Sequence, residues 1–251
     1  ELLLLNRRHN SINAYSSIEK SLDIGFKNIS IDLMYGLPNS SIDIWNNNID
    51  LAIELNVNHI SAYNLTVEQN TAYNTFIKKG RFSLPNEFEI EEQYKLLINK
   101  LKSNSFYQYE ISNFCKEGFH SIHNSNYWKG KKYLGLGPSA HSFDIVSRQW
   151  NVSNIQVYFN SLQSCIIPYT KELLTDDQMY NEYVFLSLRT MWGIDISLIT
   201  KRFNKQFSIV NDIVNKYIES GNLIVENNFL KTTEKGIFIA DKIASDLFFV
   251  P

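Results

Sequence analysis

Ile29-Ser-Ile-Asp-Leu-Met-Tyr-Gly-Leu-Pro38 is an apolar run broken by one carboxylate, Asp32, and closed by a Gly-Leu-Pro turn. A helical pattern begins directly after it. This is how a strand of an α/β protein ends: a buried segment, a functional group at its C-terminal tip, then a tight turn into the next helix. In a (β/α) barrel that tip faces the ligand. Asp32 therefore reads as a site residue, although a turn or capping aspartate fits the strand equally well.

Working outward, Gly25 suits a helix C-cap after helical segments over Leu2 to Phe26. Beyond Pro38, Ser40 and Ser41 are N-cap candidates with Asp43 in the first turn. Ile42, Trp45, Ile49, Ala52 and Ile53 mark one amphipathic helix face. A second strand is expected at His59–Thr66, one βαβ unit after the first. A polar loop with Gly80 and Pro85 leads to a helix over Glu87–Ser103, then to a third strand at Tyr107–Ser112. Strands alternating with helices imply a parallel sheet. Too few units are present to close an eight-strand barrel, so further strands are expected before Glu1.

Asn113 to Lys132 reads as a long loop, and loops of that length inside a domain are usually functional. It carries His120 and His123-Asn124-Ser125-Asn126-Tyr127-Trp128. An imidazole beside asparagines and two large aromatics offers a metal or proton ligand against a flat apolar wall. A packed loop whose histidine bonds to backbone is the plainer alternative. In Tyr133-Leu-Gly-Leu-Gly-Pro-Ser-Ala-His-Ser142 the glycines allow a ligand or another backbone to come close. The incomplete G-x-G is weak support for phosphate.

Composition sets the outer limits. Hydrophobic residues at 44% and charged residues at 20% suffice for a folded core. A formal net charge of −2 gives no general pull toward nucleic acid or anionic membrane. Cys115 and Cys165 form no CxxC pattern, so this chain offers no thiolate set for zinc or an iron–sulfur cluster. Two isolated thiols fit a reduced cytoplasm. The opening Glu1-Leu-Leu-Leu-Leu5 is too short for a signal peptide, and no run reaches membrane-span length. A chain that begins inside an apolar run without methionine reads as part of a longer protein.

NISIDLMYGLP, HISAYNL, YEISNF, HNSNYW and YLGLGPSAHS, in this order, resemble the radical S-adenosylmethionine family around oxygen-independent coproporphyrinogen III oxidase. The similarity covers nearly the whole chain and is densest from Asn28 to Ser142. HNSNYW matches the HNxxYW motif of the HemW branch, described as heme chaperones, more than the oxidases. The resemblance implies an α/β fold: the C-terminal part of a partial (β/α) TIM-type barrel, residues 1–168, then a small helical winged-helix-like domain, residues 169–251. It implies S-adenosylmethionine, heme and a [4Fe-4S] cluster as cofactors, the cluster's CxxxCxxC ligands lying upstream of residue 1. It implies heme delivery to acceptor proteins, respiratory ones included, in the cytoplasm. Radical decarboxylation by a coproporphyrinogen oxidase is the alternative function.

By the same resemblance, Arg7 and Asp32 stand where the family contacts S-adenosylmethionine. The backbone at Thr66 and the turn at His141 fall where it approaches that cofactor. The chemistry agrees: a guanidinium grips a carboxylate with two parallel bonds, and a carboxylate accepts from a ribose diol. His123 is the candidate axial ligand of heme iron, with Tyr127 and Trp128 against the macrocycle and Asn124 fixing the imidazole tautomer. His120 and His141 are its rivals, while His9 and His59 read as structural.

From Pro168 onward, helices are expected at Thr175–Leu188, Ile196–Phe203 and Ile209–Ser220. A hairpin turning at Asn227-Asn228 and a helix over Thr233–Leu247 complete a winged-helix pattern. Residues 171–251 hold nine Lys/Arg against eleven Asp/Glu. That balance argues against DNA and for a lid or docking element.

Overall fold

Strand β1 covers Ser30–Tyr35 and pairs in parallel with β2, His59–Asn64, in a register running from Ser30↔His59 to Tyr35↔Asn64. In this computed structural model the described residues are 2, 7–69 and 71–250. The start of the first expected helical segment, residues 3–6, lies outside them. Helix α1, Ser11–Ile24, is framed by its caps, since it buries no residue. Asn10 and Asn13 bond reciprocally at its start, and Gly25 takes the left-handed conformation at its end, φ 100°.

Between the parallel strands runs α2, Ile42–Glu54, capped by the Ser41 hydroxyl, which accepts from the Ile44 N–H at 3.2 Å. Its apolar stripe buries Trp45, Ile49 and Ala52. The expected polar loop after β2 contains a further short helix, α3, Ala72–Lys78, capped by Thr71. Helix α4, Glu87–Ser103, starts at an Asn86–Glu89 capping box and buries Tyr94, Leu97 and Leu101. The outlines of α2 and α4 match the sequence expectation because caps and a 3.6-residue apolar period agree there.

The third strand departs from expectation. Only Tyr107–Gln108 pairs as β3, and the chain then reverses, the Tyr109 N–H bonding to the Asn113 carbonyl at 3.1 Å. It returns as β4, Asn113–Cys115, antiparallel to both β2 and β3. The sheet order is β1-β2-β4-β3, with one parallel pair. The apolar alternation of Tyr107–Ser112 breaks because Glu110 folds back to accept from the Asn113 side-chain amide.

Two compact units are formed by Glu1–Ser121 and Ile122–Pro251. The second opens with α5, Ile122–Trp128. A three-stranded antiparallel sheet follows, in the order β5-β6-β7: β5 His141–Phe143, β6 Ser147–Asn151 and β7 Tyr169–Leu173, with α6, Ile155–Gln163, between the last two. The boundary at residue 168 drawn from the sequence thus falls inside this unit, where Arg148 on β6 pairs with Glu182 at 2.6 Å.

Helix α7, Asp176–Leu188, leads to β8, Ile194–Asp195. The two expected helices that follow are one, α8, Ile196–Glu219, kinked at Phe203 with φ −129° and ψ 36°. The hairpin β9 Leu223–Glu226 and β10 Phe229–Thr232 turns through left-handed Asn227 and Asn228 and takes β8 as a third strand. A 3-10 turn, Gly236–Ile239, and α9, Ala240–Asp246, replace the single last helix. Tyr180, Leu188, Ile199, Phe203, Leu230 and Ile243 are central to this core.

Candidate functional site

Alternation along β1 and β2 separates two faces of the first sheet. Tyr35 turns toward the helices, stacking on Tyr94 at 5.9 Å and meeting Trp45 at 5.7 Å. The opposite face is polar. By the strand register it carries Ser30 and Asp32 from β1, His59 and Ser61 from β2, and Asn113 and Cys115 from β4. His59, Ser61 and Asn113 are buried, whereas Asp32 is exposed in the middle of β1 rather than at its tip. Thr66 is exposed just beyond the end of β2, and Arg7 is exposed ahead of α1.

Buried polar groups must be paired, and here they form a chain. The His59 Nδ1 lies 2.8 Å from the Ser30 hydroxyl and its Nε2 2.8 Å from the Tyr109 hydroxyl, which accepts from the Ser121 N–H at 3.3 Å. Burial lowers the His59 pKa against the opposing pull of the Asp32 carboxylate, and burial pushes Tyr109 up to about 12. His59 is thus a neutral imidazole held at both nitrogens, in keeping with its structural reading.

A pH effect follows. His59 binds its proton more weakly when folded than at the ordinary value of about 6.5. Its stabilising contribution is complete above that value and is lost as pH falls from it toward the lower folded pKa. Denaturation midpoints between pH 7.5 and 5 should decline more steeply for the wild type than for His59→Gln. Parallel slopes would show that His59 ionises freely.

In the second unit, HNSNYW is not a loop but helix α5, a seven-residue turn too short and too asparagine-rich for its period to be seen. His123 is exposed and meets Tyr127, one turn on, edge-to-face at 5.0 Å. Tyr127 in turn meets Tyr133 at 4.8 Å. Asn124 and Trp128, half-buried, share the adjoining face of the helix. His123 and Trp128 therefore do not face one ligand plane from one side, and Ser125 between them is buried with its hydroxyl unpaired.

His141 begins β5, an antiparallel strand of the second unit rather than another tip of the parallel sheet. Its ring stacks on Trp150 at 6.0 Å and lines a cleft of about 510 Å³. The glycines before it serve the backbone: a side chain at Gly135 would run into the His141 carbonyl, and the Gly135 N–H donates to the Ser142 hydroxyl at 3.0 Å. The candidate residues thus fall into two groups, Arg7, Asp32 and Thr66 in the first unit, and His123, Asn124, Tyr127, Trp128 and His141 in the second. Sequence reasoning missed the Ser30–His59–Tyr109 chain, whose signal was the polar alternation Ser30, Asp32 and His59, Ser61.

Residues 174–239 match the family described as the HemN C-terminal domain. Heme chaperone HemW of Bacillus subtilis is 33% identical over 219 residues, covering 84% of this chain and 58% of that protein. Heme chaperone HemW of Mycobacterium tuberculosis H37Rv is 30% identical over 247 residues, covering 98% and 62%. Coproporphyrinogen III oxidase HemN of Escherichia coli, a radical SAM enzyme, has the same fold with a TM-score of 0.78 at 18% identity, over 98% of this chain and 61% of that one. The chain spans about three fifths of the length of these HemW relatives. Along most of its length the chain is thus similar to the heme chaperones named HemW, and its C-terminal part to the HemN C-terminal domain.

Proposed function

We propose that the protein is a heme chaperone: it binds heme and S-adenosylmethionine and passes heme to acceptor proteins. The observation that carries this reading is His123, an exposed imidazole backed by Tyr127, in a chain aligned with HemW relatives along most of its length. A neutral imidazole is a common heme-iron ligand, and an exposed one is free to take and release its cargo. The oxidase alternative has a likeness of fold behind it. The HemN C-terminal domain match begins at residue 174 and supports a sequence domain over 169–251 behind a barrel part at 1–168.

The family's [4Fe-4S] cluster does not fit the residues described. Among them no group of three or more His, Cys, Asp or Glu could hold a metal ion. Cys115 is buried, its thiol pushed up to about 11 by that burial, and Cys165 stands apart and exposed. S-adenosylmethionine does fit in part, because Asp32 presents an exposed carboxylate on an otherwise polar face. That carboxylate would accept from the ribose diol, and the Arg7 guanidinium would grip the methionyl carboxylate.

Titration calorimetry with S-adenosylmethionine tests that half. Asp32→Ala and Arg7→Ala should each weaken binding by about tenfold or more, the loss of one charged hydrogen bond. Circular dichroism should not change, since both residues are exposed. Wild-type affinity in both variants would remove the assignment. Hemin titration tests the other half: a stoichiometric Soret band is expected, and a spectrum of free hemin throughout would refute the chaperone reading.

A further inference from the structure

Trp128, the last residue of the HNSNYW helix, opens onto a cavity of about 350 Å³ within the second unit. Its far wall is the C-terminal helical domain: Trp192 from the α7–β8 loop and Phe203 at the kink of α8. The lining is mainly apolar and aromatic, within the size range in which small-molecule sites fall. Three charged side chains of the lining matter. Glu182 is neutralised by Arg148 at 2.6 Å. Lys129 instead lies over the Trp192 ring at 4.2 Å, and Arg202 rests on the Met179 sulfur at 3.1 Å. Neither has a carboxylate within ion-pair distance among the described residues.

Flat aromatic walls with two cations lacking counter-ions fit one chemistry, a planar aromatic that carries carboxylates. We propose that this cavity grips the carboxylate-bearing edge of a porphyrin, Trp128 and Trp192 against its rings and Lys129 and Arg202 on its carboxylates. The inference rests on the heme reading above and extends it. The macrocycle is larger than the cavity, so only an edge enters. The helix rise puts Trp128 about 7.5 Å along α5 from His123 and on another face, so the cavity holds the edge independently of His123. The C-terminal domain then acts as part of the cargo site.

Metal-free protoporphyrin IX separates the two roles, because it has no iron for His123 to ligate. Its binding to the 251-residue chain can be followed by tryptophan quenching, with protoporphyrin dimethyl ester as the uncharged comparison. Lys129→Gln/Arg202→Gln should weaken protoporphyrin IX on the order of tenfold and leave the ester within about twofold, as loss of charge-assisted bonds requires. Trp192→Ala should weaken both ligands with unchanged circular dichroism, and His123→Ala should weaken neither. Equal affinity of the double variant and wild type for protoporphyrin IX overturns the cavity. If those variants also leave hemin binding intact, the chaperone reading stands while this inference falls. A chain that takes protoporphyrin through Lys129 and Arg202 but gives no ligated hemin spectrum keeps the cavity and loses His123. A chain that binds neither porphyrin overturns both.

Discussion

Trp45→Ala is expected to lower the stability of the chain by about 3–5 kcal/mol, the usual cost of emptying a large buried aromatic site. Trp45 is 1% exposed and joins three elements: α2, which carries it, β1 through the Tyr35 ring, and α4 through Gln93. Its indole N–H donates to the Gln93 carbonyl at 2.8 Å, and the Gln93 side chain accepts the Gly36 N–H at 2.9 Å. Gly36 follows β1 directly in a left-handed conformation, φ 71°, and a side chain there would displace the Asn64 amide. Removing the indole leaves a void and an unpaired buried carbonyl next to that turn. Domains are stable by only about 5–15 kcal/mol, so urea denaturation should show a large drop in midpoint. Trp45→Phe should cost less, since most of the volume remains. A loss under about 1 kcal/mol for the alanine variant would mean that the α2–α4 contact collapses freely around it.

His123→Ala is expected to abolish the Soret band of the hemin-loaded chain, or shift it markedly, at no cost in folding. The ring is exposed and its packing contact is the edge of Tyr127, and surface substitutions of this kind stay within about 0.5 kcal/mol. Circular dichroism and the denaturation midpoint should match wild type. His120 is the internal control, because its half-buried ring packs edge-on against Tyr109 at 6.0 Å. His120→Ala should keep the Soret band. A His123 variant with wild-type spectrum and affinity would put the iron ligand elsewhere, with His141 next to be replaced.

The parts of this fold that sequence disclosed are those where two local signals coincide. The stripe of Leu96, Leu97 and Leu101 after the Gly80 and Pro85 loop placed α4 at Glu87–Ser103, the bounds it has, while its Asn86–Glu89 capping box went unread. Gly25 and the Asn227-Asn228 turn were legible for the same reason, since each needs a left-handed backbone. The reversal after Gln108 was hidden because it depends on a contact between side chains, Asn113 and Glu110, within a stretch whose alternation reads as one strand. The kink at Phe203 joins two helices that a pattern reader separates. Among the site residues, Asp32 was visible as a carboxylate inside an apolar run. The cavity beside Trp128 was not, since its walls come from segments 128–130, 143–145 and 179–203.

Gln93 has a kinetic consequence. It fastens the turn after β1 across 57 residues of chain and the α2 indole across 48. Long closures of this kind are paid in chain entropy before they return any contact, so they form late and slow the search. The mouth of the strand that bears Asp32 therefore cannot acquire its geometry from its own neighbourhood. It must wait, during folding, for α4 to arrive, and the turn after β1 and the hydrophobic layer beneath it are completed in the same step.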